Sequence, residues 1–333
     1  MTKTEQVYLK SIELLGEQIN QSYQEAKKIK LPKNYRQINK IVTCGMGGSQ
    51  LGVDLVRHLF SREIKVPIVQ VKGYNLPKFV DNKTLVFLIS YSGNTEEVIS
   101  IMSDDKHPIT KKFVISSGSQ LAKLAKKQKL PAYIFKPINN PSGQPRMGAG
   151  YTIGSFLSII KRLKLIDVAD AQIKTMINVK DLKIKIQNYS SKLKNKIPVI
   201  IASEFLQGNA HLMANQINES AKQLALYYSI PEINHHLLEG LTFPKANQKN
   251  LYFLFFLSKN YHQRNQKRYR ITQQMLAKQK ISCQQIEFSG DKISQSMQML
   301  KFGSLLSYQL AKINKVDPNK IPWVNFLKRK LKD

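Results

Sequence analysis

Twice in this chain a short apolar run leads straight into a turn of glycines and hydroxyl residues, and that turn opens a helical pattern. Ile41-Val42-Thr43-Cys44 leads into Gly45-Met46-Gly47-Gly48-Ser49 and a helix to about Phe60. The run at 84–90 (TLVFLIS) leads into Tyr91-Ser92-Gly93-Asn94-Thr95 and a second helix. A strand that is apolar throughout has no face for water, so it must lie in a sheet covered on both sides. Further strands are predicted at 66–71, 112–116 and 131–136, with a Lys-rich helix at 119–128. An amphipathic helix at 5–29, with Leu9, Ile12, Leu15 and Ile19 at helical spacing, comes before them and is closed by Pro32. An apolar helix is predicted from about Gly148 to Leu163.

After a helical, Lys-rich stretch at 168–195 the alternation resumes. Strands are predicted at 197–202, 224–228, 251–257 and 282–288, and helices at 205–223, 262–280, 292–314 and 321–331. This alternation implies an α/β chain of parallel sheets flanked by helices. Its 333 residues suit two domains, divided here as 1–165 and 166–333.

Cys44 and Cys283 are the only cysteines, which excludes a disulfide scaffold and a multi-cysteine metal site and suits a reducing compartment. The N-terminal residues MTKTEQVYLK lack a signal-peptide pattern. No apolar stretch approaches the roughly 20 residues of a membrane helix. A cytoplasmic protein with no membrane partner is expected. Lys and Arg number 52 against 22 Asp and Glu, a net charge of +30. Such a charge attracts anions, from nucleic acid to phosphorylated metabolites. The lysines are dispersed, and neither zinc-finger spacing nor an RNA-binding aromatic signature accompanies them, so no specific nucleic-acid partner is expected.

A glycine-rich turn at a helix N-terminus brings unpaired N–H groups and a positive dipole end close to a ligand, which suits an anion. The 45–49 turn is not a dinucleotide fingerprint, since Gln50 stands where the third glycine would be, and it has no P-loop lysine. In isolation it reads equally as a tight strand–helix turn with a serine cap, and 90–97 as a capping box. Two such turns at the carboxyl ends of strands in one sheet lie at the edge where open α/β sheets bind ligands.

Strand-GMGGS-helix followed by strand-SYSGNTEE-helix resembles the sugar isomerase (SIS) domain family. Pro145-Arg146, after a loop with Pro137, Pro141 and Gly143, is similar to that family's arginine loop. Asn218-Glu219-Ser220-Ala221-Lys222 and Pro231-Glu232-Ile233-Asn234-His235 carry the likeness into the second half. Tandem domains with these segments resemble the bifunctional phosphoglucose/phosphomannose isomerases of archaea and bacteria.

The resemblance implies two SIS-type domains and a phosphorylated hexose as substrate, with no metal or organic cofactor. It also implies a homodimer in which His235 comes from the neighbouring subunit. Gly48, Ser49, Ser90, Ser92 and Thr95 match its phosphate-binding positions, and Arg146 matches its arginine near the reacting carbons. Glu219 matches its general base, His235 its ring-opening histidine, and Lys328 its C-terminal lysine. Arg146, His235 and Lys328 count as substrate-binding as well as catalytic.

The implied reaction interconverts glucose 6-phosphate and fructose 6-phosphate. A base moves a proton between C1 and C2 through a cis-enediolate, a role open to a carboxylate. A fixed cation stabilises the developing oxyanion. Asp317-Pro318-Asn319-Lys320-Ile321 lacks the threonine that the family often carries there, in a segment linked to handling mannose as well as glucose configuration. Mannose 6-phosphate is thus left open as a second substrate. A non-catalytic SIS regulator that binds a phosphosugar is the alternative; it would not require Glu219, His235 and Lys328 together.

Overall fold

Where the sequence pattern predicts one helix over 5–29, a computed structural model has two, α1 (Lys3–Glu13) and α2 (Leu15–Lys27). It describes residues 2–104, 111–179 and 181–331. The break between the helices marks a division of the chain. One compact unit is Glu13–Val179, and the other joins Met1–Ile12 to Lys180–Asp333.

The first unit holds β1 (Lys40–Cys44), α3 (Gly48–Leu59), β2 (Ile68–Val71), β3 (Thr84–Ser90) and α4 (Glu96–Met102). These are followed by β4 (Lys111–Ser116), α5 (Ser119–Lys127), β5 (Ala132–Ile134), α6 (Ala149–Arg162) and α7 (Asp170–Ile177). Its five strands are all parallel, in the order β2-β1-β3-β4-β5. Every residue of β3 is buried, as expected of a central strand covered on both faces. Val42, Val86, Leu88 and Val114 meet Val98, Ile101 and Leu121 from α4 and α5 in one core cluster. The chain moves outward one way from β1 to β2 and then the other way from β3, so the strand order reverses between β1 and β3.

The second unit carries α8 (Gln187–Ser190), β6 (Ile197–Ala202), α9 (Gln207–Gln216), β7 (Leu226–Ser229), α10 (Leu237–Gly240) and α11 (Asn247–Asn250). Then come β8 (Leu251–Leu257), α12 (Gln263–Lys278), β9 (Ser282–Glu287), α13 (Lys292–Ile313) and α14 (Pro322–Lys330). Its parallel sheet runs β7-β6-β8-β9, the first sheet's winding without a fifth strand.

The compact units do not divide at 165/166. Ile166 bridges Ile64, Lys65 N–H donates to Leu165 O, and Asp167 N–H donates to Glu63 O. These bonds, with α7 packed on α2, hold 165–179 to the first unit. The N-terminal residues belong to the second through Tyr8. Its ring stacks on Tyr308 at 5.9 Å and its hydroxyl lies 2.6 Å from Ser220 Oγ. Among the described residues no helix is long and apolar enough to cross a membrane.

Candidate active site

The point where strand order reverses in an open parallel sheet leaves a crevice at the strands' carboxyl ends, because the flanking connections leave to opposite faces. In the first unit β1 and β3 border that point, and the 45–49 and 91–95 turns extend from their carboxyl ends. The two turns are joined directly: Ser49 Oγ accepts the N–H of Tyr91 at 2.9 Å. Ser90, fully buried, accepts the N–H groups of Gly93 and Thr95 at 3.0 and 3.4 Å, and its hydroxyl pairs with Thr95 Oγ1 at 2.7 Å. Ser92 lies at the exposed tip, accepting from Asn94 N–H at 3.3 Å.

The hydroxyl protons here are largely uncommitted. Ser49 and Ser92 accept without donating to any described residue, and the Ser90–Thr95 pair needs only one of its two protons for its own bond. Hydroxyl donors of this kind suit the oxygens of a phosphate dianion.

Two glycines make this arrangement possible. Gly93 has φ +73, and a Cβ there would lie 1.9 Å from Gly118 O. A Cβ on Gly48 would lie 2.8 Å from Arg146 N, so its absence lets the arginine loop settle on the first turn. Arg146 is 1 % exposed, and its Nη1 donates to Gln144 Oε1 at 3.1 Å. The structure thus brings Gly48, Ser49, Ser90, Ser92, Thr95 and Arg146 into one group of adjoining loops.

Sequence reasoning missed the clamp that holds the arginine loop. Asn140 Nδ2 donates to Tyr91 Oη at 2.8 Å and to Gln144 O at 2.9 Å, fastening the loop to the second turn. Burial pushes the Tyr91 phenol up to about 12, so it keeps its proton. Tyr91 sits inside the serine-glycine motif, but nothing in its spacing from Asn140 marks the pair. Gln50, which breaks the dinucleotide pattern, packs behind the turn: its Nε2 donates to Thr43 Oγ1 at 2.6 Å, and a Cβ on Gly45 would lie 2.9 Å from its Oε1.

Glu219, His235 and Lys328 all lie in the second unit. The helix predicted over 205–223 is α9 followed by a π-helical turn, Ile217–Ala221, that carries Glu219 half-buried. Single π turns are uncommon and recur at functional sites. The backbone around this one is fixed at several points. Lys222, left-handed at φ +51, donates from Nζ to Glu219 O, Ser220 O and Asp317 O at 3.0, 3.2 and 2.7 Å. Asn314 Nδ2 donates to Ala221 O at 3.0 Å. The Asp317-Pro318 segment is therefore tethered beside the candidate base. His235 is exposed at the end of a 3-10 turn, Glu232–His235, and Lys328 is exposed on α14. Among the described residues no hydrogen bond or ion pair joins these three to one another, and none form a metal-binding cluster of His, Cys, Asp and Glu.

A family model described as the bacterial phospho-glucose isomerase C-terminal SIS domain matches residues 183–331. The chain is 30% identical to a bifunctional phosphoglucose/phosphomannose isomerase of Caldicellulosiruptor bescii, over 96% of this chain and 98% of that protein. It is 30% identical to the protein of the same description from Aquifex aeolicus, over 88% of this chain and 90% of that one. Among solved structures it is similar to the C-terminal domain of glucosamine-fructose-6-phosphate aminotransferase from Francisella tularensis. That match has a TM-score of 0.72 at 16% identity, covering 95% of this chain and 98% of that one, and it speaks to the fold alone.

Proposed function

The chain belongs to the bifunctional phosphoglucose/phosphomannose isomerase family, and from that premise we propose that it interconverts glucose 6-phosphate and fructose 6-phosphate in the cytoplasm. The observation that carries this reading is the pair of turns joined by Ser49 and Tyr91, whose uncommitted hydroxyls adjoin the loop of a buried arginine. Ser49, Ser90, Ser92 and Thr95 hold the phosphate, with Gly48 giving room for close approach. Glu219 takes the proton from C1 of the open-chain ketose, and the C–H electrons form the enediolate as the carbonyl π electrons move to O2. Arg146 stabilises the resulting oxyanion. O2 takes up the proton of the O1 hydroxyl, the carboxylic acid returns the carbon-bound proton to C2, and the electrons left on O1 form the aldehyde carbonyl at C1, with O2 now a hydroxyl. His235 and Lys328 move the proton between O1 and the ring oxygen that ring opening and closure require.

The test is a coupled assay offering glucose, fructose and mannose 6-phosphates in turn. Conversion of the first two is expected, and the third decides whether the segment without threonine still admits the mannose configuration. No turnover of any of them would refute the reading and leave a phosphosugar-binding regulator.

Loss of one hydrogen bond to a charged group costs about 1.5–3 kcal/mol. Ser92→Ala and Thr95→Val should therefore each weaken fructose 6-phosphate binding by roughly 10- to 150-fold. Unchanged affinity by titration calorimetry in both variants would remove the loop from the phosphate site.

Dimerisation with His235 contributed by the partner subunit makes each site composite. Glu219→Gln and His235→Ala homodimers should both be nearly inactive. A heterodimer isolated through two different tags holds one doubly damaged site and one intact site, and should recover about half of wild-type activity. Activity no higher than the two parents would place both residues in the same chain's site.

A further inference from the structure

The second unit contains a cavity of about 310 Å³ against α12, remote in sequence from every loop discussed above except one. Its α12 wall is Arg264, Lys267, Arg268, Ile271, Thr272 and Met275. These positions are three and four residues apart and so form a single stripe down one helix face. Asn234 and Leu238 form the opposite wall.

The stripe is polarised along its length. Arg264, Lys267 and Arg268 crowd the end at the helix N-terminus, where the dipole adds to their positive charge. Ile271 and Met275, with Leu238 across from them, form an apolar end. Ile271 is 43 % exposed although it lines the cavity. No carboxylate lies within ion-pair distance of the three cations among the described residues. Glu204, the acid beside this end of α12, is already engaged, accepting from His262 N–H at 2.7 Å and Asn265 Nδ2 at 2.8 Å. Asn234 Nδ2 donates to the buried Thr272 Oγ1 at 2.8 Å and fixes the cavity wall.

We propose that this cavity is a binding site for a nucleoside diphosphate, with the phosphates on Arg264, Lys267 and Arg268 and the nucleoside along Ile271, Met275 and Leu238. Three cations in so small a volume repel one another and call for a multiply charged anion. Guanidinium groups meet phosphate oxygens with paired donors. The apolar half gives a bare phosphate nothing to bury and suits a planar ring system. The stripe from 264 to 275 runs about 16 Å, a length that suits an extended nucleoside diphosphate. The cavity volume falls at the lower end of small-molecule sites, roughly 300–1,000 Å³. The chain's own α14 fits poorly as an occupant donated by a second copy, since Lys328, Arg329 and Lys330 would bring like charge to the cationic end. The site stands independently of the isomerase reading, because none of its lining residues takes part in the proposed chemistry. Asn234 immediately precedes His235, so a bound ligand would be felt next to the proposed ring-opening residue.

The experiment is titration calorimetry of the full chain with ADP, with pyrophosphate and adenosine as half-ligands, at about 0.15 M salt. One ADP per chain is expected, bound at least tenfold more tightly than either half-ligand and not displaced by saturating fructose 6-phosphate. Arg264→Ala and Lys267→Ala, both exposed and structurally tolerant positions, should each weaken ADP at least fivefold, and Ile271→Asp should weaken it further. Absence of ADP binding would overturn the proposal, as would pyrophosphate binding as tightly as ADP. So would displacement by fructose 6-phosphate, or variants that bind ADP like wild type. Failure here would leave the coupled isomerase assay untouched, and failure of that assay would leave this titration untouched.

Discussion

Glu219→Gln should lower kcat by roughly 10²- to 10⁴-fold while KM for fructose 6-phosphate stays near wild type. The substitution exchanges a carboxylate for an amide of the same shape, so it removes proton acceptance and little else. The π turn should survive, because Lys222 and Asn314 hold it through the backbone carbonyls of Glu219, Ser220 and Ala221. The proposed phosphate contacts come from other loops, which is why binding should be spared. Steady-state kinetics in both directions check this. Activity within a few-fold of wild type would exclude Glu219 as the base.

Gly93→Ala should damage both stability and binding. Two costs coincide at that position. A side chain at φ +73 is strained by about 1–3 kcal/mol. The added methyl would also lie 1.9 Å from the carbonyl oxygen of Gly118, a backbone atom that cannot swing aside, and overpacking of this kind costs about 1–3 kcal/mol more. Against a total stability of roughly 5–15 kcal/mol, the first unit should melt about 10 °C lower. The shift of the 91–95 turn would also move Ser92 and Thr95 out of the proposed phosphate site. Gly47→Ala is the matched control: φ is +49, but nothing lies within 4 Å of the added methyl. It should show strain alone and melt only a few degrees below wild type. Equal melting of the two variants would mean that the close approach to Gly118 carries no weight.

The sheet-forming alternation was legible because buried parallel strands are written as unbroken apolar runs. TLVFLIS emerges as a strand with all seven residues buried, and the strands at 41–44 and 251–257 lie where the pattern placed them. The two strand-to-helix turns were legible because their glycine and hydroxyl residues lie within a few positions of each strand end; that they hold a phosphate is part of the proposal. What depended on distant contacts was not. The alternation pauses after the helix ending near Leu163 and resumes after the Lys-rich stretch at 168–195, which suggests halves at 165/166, yet backbone bonds from 165 and 167 to 63 and 65 join that segment to the first unit. Tyr8 belongs to the second unit through a contact 212 residues away in sequence. The π turn is written in the sequence like plain helix, because 217–221 has ordinary helical spacing. Its geometry is held by Lys222 against Asp317, 95 residues on, and by Asn314. The clamp from Asn140 to Tyr91 is similarly long-range. The cationic cavity on α12 shows in the sequence only as the helix at 262–280, since the opposite wall that makes it a cavity comes from 234–238.

The most direct measurement of the isomerase account follows fructose 6-phosphate with the wild-type protein in D₂O by proton NMR. Proton transfer through an enediolate predicts that glucose 6-phosphate appears with deuterium at C2, and that recovered fructose 6-phosphate gains deuterium at C1. On this account the carboxylic acid formed on Glu219 would exchange with solvent for part of each turnover. A hydride shift would form glucose 6-phosphate with no deuterium at C2. Conversion without any deuterium in either sugar would contradict the mechanism, and neither conversion nor exchange would contradict the function itself.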